Sequence, residues 1–216
     1  MEKELLTYLY HKIIPIYRHF DRAHQIDHVE TVINSSLLIA KDYDIDYDMV
    51  YVIACYHDIG MQFGRNDHHI TGGLFLYKDE ELKKYFDESK RLIMKEAIED
   101  HRASTKNPPR SIYGKIIAEA DRDIELEKIV LRTCQFGFKN YPNLSEEEHV
   151  ERAYLHILEK YGPNGYLKLW LETKKNIEGL KKIHNALNDE IEFKKTIKNT
   201  YINIKNNLLI NDIFLD

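Results

Sequence analysis

Apolar residues recur along the chain at the three-to-four spacing of one helix face, and strand-like alternation is missing. Leu5, Leu6, Leu9, Ile13 and Ile14 mark a first helix, ended by Pro15. Val29, Val32, Ile33, Leu37 and Ala40 mark a second. Met49, Val50, Ile53 and Ala54 mark a third, with Asp46 or Asp48 as its N-cap. Leu92, Ile93, Ala97 and Ile98 form a fourth, starting near Ser89. Ile112, Ile116, Ile117 and Ala120 form a fifth, set off by Asn107-Pro108-Pro109 and capped by Ser111.

Three longer helices are predicted after these. Ser145-Glu146-Glu147-Glu148 has the form of a capping box. It opens a helix with Val150, Ala153, Tyr154, Ile157 and Leu158 inward, stopped by Gly162-Pro163-Asn164-Gly165. Leu167, Trp170, Leu171, Ile177 and Leu180 carry the next. A Lys/Asn-rich helix with Ile191, Phe193, Ile197, Tyr201 and Ile204 closes the chain. The pattern predicts an all-α fold, with a helical core over residues 1–140 and accessory C-terminal helices over 141–216 packed on it. No repeat of fixed period and no flexible linker interrupts it.

Composition narrows the class. A chain of 216 residues with 43% hydrophobic and 31% charged residues has enough apolar surface for a proper core. Nine Gly and five Pro are few for a turn-rich β fold. Cys55 and Cys134 are too few for a disulfide framework, so the expected location is the reducing cytoplasm. The charged start Met1-Glu2-Lys3-Glu4 is unlike a signal peptide, and no apolar run approaches a membrane span of about 20 residues. A net charge of -5 argues against duplex nucleic acid as a partner. Eleven histidines are many for this length, and most lie in the first half.

Four residues stand out among them: His28, the dipeptide His57-Asp58, and Asp121. Each lies at the end or side of a predicted helix. The pair follows the apolar run Val52-Ile53-Ala54-Cys55-Tyr56, and Asp121 follows Ile116-Ile117-Ala118-Glu119-Ala120. Carboxylates at the edge of buried runs are costly unless a cation or hydrogen bonds compensate. Two imidazoles and two carboxylates suit a divalent ion such as Mn, Fe, Co, Ni or Zn, and the set is too hard for a structural zinc site. Neighbours on a helix point about 100° apart, so one ion reaches both His57 and Asp58 only off the helix end. Gly60 fits a helix terminus there. His24 and His28 share a face at i, i+4, but Gln25 follows His24 where a metalloprotease needs a carboxylate.

Asp21-x-x-His24-x-x-x-His28-Val29, then Tyr56-His57-Asp58-Ile59-Gly60, then Ala120-Asp121-Arg122 resembles the HD superfamily of metal-dependent phosphohydrolases. The likeness covers about residues 20–125. It implies a helical bundle in which His28, His57, Asp58 and Asp121 hold a divalent metal (Mn, Fe, Co, Ni, Zn or Mg), one or two ions per chain. It also implies hydrolysis of a phosphate ester or anhydride, often of a nucleotide. His68, His69 and His101 lie where binuclear members place further ligands, and His69 and His101 are also candidates for moving protons. Asp58 is the natural bridging carboxylate for two ions, and also a catalytic residue that orients the attacking water. In the HD pattern only His28 of this pair is a ligand, and His24 either supports the ligands from behind or falls on the substrate side, with Asp21 and Asp27 placed to orient the rings.

Arg22, Arg65, Arg102, Arg110 and Lys115 are the candidate phosphate partners, of which about two are expected at the site. His149 and His156 share a face with no carboxylate set, which leaves them as surface or lid residues. Trp170 and most tyrosines read as core. Two rivals remain: a di-iron oxygenase on the same scaffold, and a non-catalytic signalling module. The expected partner is a small phosphorylated substrate, with the C-terminal helices as a candidate homodimer contact.

Overall fold

The computed structural model describes residues 1–21 and 24–213, with side chains to residue 207. It is all-α, and no strand occurs among the described residues. Helix α1 (Lys3–Tyr8) runs into a π turn (Leu9–Ile13) and a 3-10 segment (Ile14–His19) with Pro15 in its first turn. Proline supplies no amide proton, so the helical ladder changes register there. Then follow α2 (Ile26–Ala40), α3 (Tyr47–Tyr56), a 3-10 turn (Ile59–Phe63), α4 (His68–Lys78), α5 (Glu88–Asp100) and α6 (Ile112–Asp121). The chain continues through α7 (Leu126–Asn140), α8 (Glu146–Tyr161), α9 (Lys174–Leu187) and α10 (Glu190–Ile213).

Caps fix where these helices begin. Asp46 accepts from the amides of Asp48 and Met49 at the start of α3. Asp87 accepts from Lys90 at α5, and Ser111 from Gly114 at α6. Ser145 and Glu148 exchange the two bonds of a capping box at α8. Each such cap stabilises its helix by about 1 kcal/mol.

Two compact units result. The first comprises Met1–Asp123 together with Lys168–Thr173. Its core gathers Leu5, Leu9, Val29, Val52, Ile53, Leu76, Met94 and Ile98, all 1% exposed or less. Burying a side chain of that size contributes about 1.5–3 kcal/mol. The second unit comprises Ile124–Leu167 and the helices from Lys174 onward. It buries Val130, Ala153, Ile157, Ile183 and Ile197, and stacks His149 on Tyr201 at 4.8 Å. No helix among the described residues is long and apolar enough to cross a membrane.

Several local expectations are revised. Helix α4 has no counterpart in the apolar pattern, because its inner face carries Gly72 and Gly73, which let α5 approach closely. Helix α7 was hidden because Thr133, Cys134 and Gly137 complete its inner face. Residues 168–173 form a strap, and the helix begins only at Lys174. The cause is Glu119, 1% exposed, which accepts from the amides of Trp170, Leu171 and Thr173 and from the Thr173 hydroxyl. Leu92 and Leu158 face outward, and Met94 takes the inward place on α5. Gly60 is not a left-handed cap: a Cβ there would run into the carbonyl of His68, so it is small to admit the start of α4.

Candidate metal centre

Five helix ends converge on one carboxylate. His28 lies in the first turn of α2, and His57 and Asp58 follow the end of α3. His68 opens α4, His101 caps the end of α5, and Asp121 is the last residue of α6. Asp58, 3% exposed, sits at their centre. Its Oδ2 lies 3.4 Å from His28 Nε2 and 3.2 Å from His57 Nε2. Its Oδ1 lies 3.3 Å from His68 Nε2 and 3.4 Å from His101 Nε2. Asp121 Oδ1 stands 3.3 Å from His28 Nε2 and 3.9 Å from His57 Nε2.

Three of the rings are oriented by the same local device. His57 Nδ1 donates to the carbonyl of Ala54 at 2.8 Å, His68 Nδ1 to Arg65 at 2.7 Å, and His101 Nδ1 to Ile98 at 2.6 Å. Each acceptor is the residue three positions earlier, and a carbonyl accepts only, so Nδ1 carries a proton in each ring and Nε2 is the nitrogen turned to Asp58. His28 and His57 bring their Nε2 atoms to 3.1 Å of each other. Lone pairs and carboxylate oxygens at these separations repel one another unless a proton or a cation lies among them.

The donor atoms form two groups. His28, His57, Asp58 and Asp121 offer atoms all within 4.8 Å of one another, and Asp58, His68 and His101 do the same. Asp58 belongs to both. Imidazole nitrogens with carboxylate oxygens, buried at His57, Asp58 and His101 and partly open at His28, His68 and Asp121, fit a divalent transition ion. Without an ion, a proton takes its place. Burial works to lower the His28 pKa, but hydrogen bonds to Asp121 and Asp58 outweigh it and push the pKa up to about 10. Burial works to raise Asp58 and Asp121, yet the surrounding imidazoles hold both below the ordinary carboxylate range.

The other residues singled out from the sequence are spread around this centre. His69 packs its ring edge-on to His68 at 5.6 Å and stands outside both donor groups. Burial and the neighbouring His101 and His68 lower its pKa. His24 donates to Asp21 at 2.7 Å, and its ring meets His28 edge-on at 5.8 Å. Arg65 binds the same Asp21 at 3.0 Å, and Arg102 donates to the carbonyl of Asn66 at 2.8 Å. Lys115 is half-buried in the second turn of α6. Arg110 is engaged by Glu96, Glu99 and Asp100. Arg22 lies outside the described residues. His149 is buried in the second unit against Tyr201, and so is no surface residue.

Sequence reasoning missed Tyr17. It reads as a core aromatic, and it is fully buried, but its hydroxyl donates to the carbonyl of Cys55 at 2.9 Å and accepts from the amide of Asp58 at 3.2 Å. Burial, with Asp58 nearby, raises its pKa well above the usual phenol value. No sequence motif marks such a residue, because it comes to the site from a different segment.

A cleft of about 450 Å³ is lined by Ile16, His19, Phe20, Asp21, Met61 and Gln62. Asp21 belongs to it and also binds His24, and Met61 belongs to the turn that leaves Asp58.

Residues 26–124 match the family model of the HD domain, and this segment holds His28, His57, Asp58, His68, His101 and Asp121. No curated protein and no solved structure matches the chain.

Proposed function

We propose that this chain, which carries an HD domain over residues 26–124, is a metal-dependent hydrolase of phosphate esters or anhydrides. The substrate is a nucleotide or a related small phosphorylated metabolite. The observation that carries the reading is Asp58: one carboxylate with an oxygen in each of two donor groups, faced by four imidazole Nε2 atoms.

His28, His57, Asp58 and Asp121 would hold one divalent ion, and His68 and His101 with Asp58 a second. A bound ion supplies a water acidified toward hydroxide and positive charge against the phosphoryl oxygens. The protein's part is orientation. The Nδ1 bonds of His57, His68 and His101 keep their lone pairs aimed inward, as ligating histidines require. Asp58, which the rings hold ionised, would orient the attacking water. His69 borders the second group without belonging to it, and carries a proton to the departing oxygen. Arg102, whose guanidinium donates to the Asn66 carbonyl, offers its charge to phosphate, with Arg65 and Lys115 as further cationic partners. His24 steadies the substrate side. The cleft beside Asp21 takes the organic part of the substrate, with Phe20 as the face for a planar ring and His19 and Gln62 as polar contacts.

A second reading has one specific observation in its favour. The six residues brought together are also the set that a di-iron oxygenase on this scaffold needs. Phosphate release and oxygen uptake, measured on the same iron- or manganese-loaded protein, separate the two. Phosphate release without oxygen uptake supports the hydrolase, and the reverse overturns it.

A further inference from the structure

The chain does something unusual at the end of α3. Continued helix would bond the amide of Asp58 to the carbonyl of Ala54. That carbonyl instead receives the His57 Nδ1–H at 2.8 Å. The Asp58 amide is thereby turned away from the ladder and donates to the Tyr17 hydroxyl at 3.2 Å. The same hydroxyl donates to the carbonyl of Cys55 at 2.9 Å, which the helix has also released. One phenolic oxygen thus bridges an acceptor and a donor that the opened helix end leaves without partners, as an inserted side chain does at a helix break. Tyr17, Cys55 and His57 are 0% exposed and Asp58 is 3% exposed, so no solvent replaces these bonds. The Tyr17 ring lies 6.2 Å from that of His57 and 5.1 Å from Phe20, which wedges it in place.

We infer that Tyr17 is a positioning residue for the metal centre: its hydroxyl holds the His57-Asp58 turn open so that both side chains face one ion. The inference rests on the metal-centre reading above. It explains how adjacent residues on one strand of backbone, which a regular helix would point about 100° apart, serve the same site. Tyr17 touches neither ion nor substrate; it acts through the Asp58 amide and the Cys55 carbonyl.

The test compares Tyr17→Phe with Tyr56→Phe in cobalt-loaded full-length protein. Tyr56 is the control because its hydroxyl is also a buried-side hydrogen bond, to Asp79 at 2.6 Å, on the same helix end but away from the Asp58 amide. Both variants lose a hydroxyl bond and are expected to melt lower than wild type. Only Tyr17→Phe is expected to change the cobalt visible spectrum and to release cobalt to a chelator faster, by about 10- to 100-fold, the range for loss of a group that orients a ligand. A Tyr17→Phe protein with the wild-type spectrum and release rate overturns the inference. Hydrogen exchange of the Asp58 amide in metal-free wild type is a second readout that needs no variant: strong protection supports the bridge, and rapid exchange in the folded chain contradicts it. A wild-type chain that takes up no cobalt is a different failure, since it overturns the metal-centre reading before any substitution is made.

Discussion

The His57 ring donates from Nδ1 to the Ala54 carbonyl, 2.8 Å away, inside its own helix end. That bond commits Nδ1 to the helix end and turns Nε2 toward Asp58, 3.2 Å away. The same i−3 device at His68 and His101 makes the centre a set of preformed donors rather than a chance cluster of polar residues.

Removal of the central carboxylate is expected to empty the site. Asp58→Ala leaves four imidazoles around a methyl group and takes one oxygen from each donor group. Bound metal, read by elemental analysis, and phosphate release are both expected to fall by more than the roughly 10–100-fold that loss of an outer partner costs. An Asp58→Ala protein with full metal content and turnover would show the assignment to be wrong.

His68 and His69 are adjacent but are expected to behave differently. His68 Nε2 faces Asp58, and His69 lies outside both donor groups. His68→Ala should lower the number of ions bound per chain. His69→Ala should keep them and lower kcat by about 100-fold or more, as loss of a proton-transfer group does. Equal metal loss in the two variants would contradict the division.

Metal-free stability and metal affinity should run in opposite directions with pH. His28 has its pKa raised from the ordinary 6.5 to about 10 in the folded, metal-free chain. Its stabilising contribution is therefore full below about pH 6.5 and is lost as pH rises through about 10. Asp58 and Asp121 are held below 3.8, so their contributions are present above that value and are lost as pH falls through their lowered pKa values. Metal must displace the His28 proton, so apparent affinity rises with pH across the same 6.5 to 10 window. Melting curves of the metal-free chain and metal titrations from pH 6 to 10 check both slopes. Parallel slopes would contradict the proton-for-metal exchange.

Glu119→Ala should loosen the strap of residues 168–173. The substitution leaves three amides and one hydroxyl without their acceptor. A loss of about 1–3 kcal/mol in unfolding free energy is expected, with faster proteolysis between Lys168 and Thr173. Unchanged stability and cleavage would show that the strap is held by its other contacts.

The parts of this fold that could be read from sequence are those where one physical signal dominates. Asp46, Ser111 and the Ser145/Glu148 box cap helices where their side chains said they would. His57-Asp58 and Asp121 are legible because carboxylates at the edge of apolar runs need compensation, and His28 because it precedes them in the order of the HD pattern. His68 could not be told from His69 without knowing the first residue of α4 and its bond to Arg65. The strap has a helical pattern in sequence because Leu167, Trp170 and Leu171 keep helical spacing, while the buried Glu119 that captures its amides lies about 50 residues away in the chain. Tyr17 was unreadable for the same reason: its partners are backbone groups brought to it only by folding.

The most direct test of the central claim is elemental analysis of the chain purified without chelator and then reloaded with Mn, Fe, Co, Ni or Zn, run alongside a phosphate-release screen over nucleotides. The expected result is bound metal at about one or two ions per chain, with phosphate released only by the loaded protein. A folded chain that takes up no metal after reloading would contradict it.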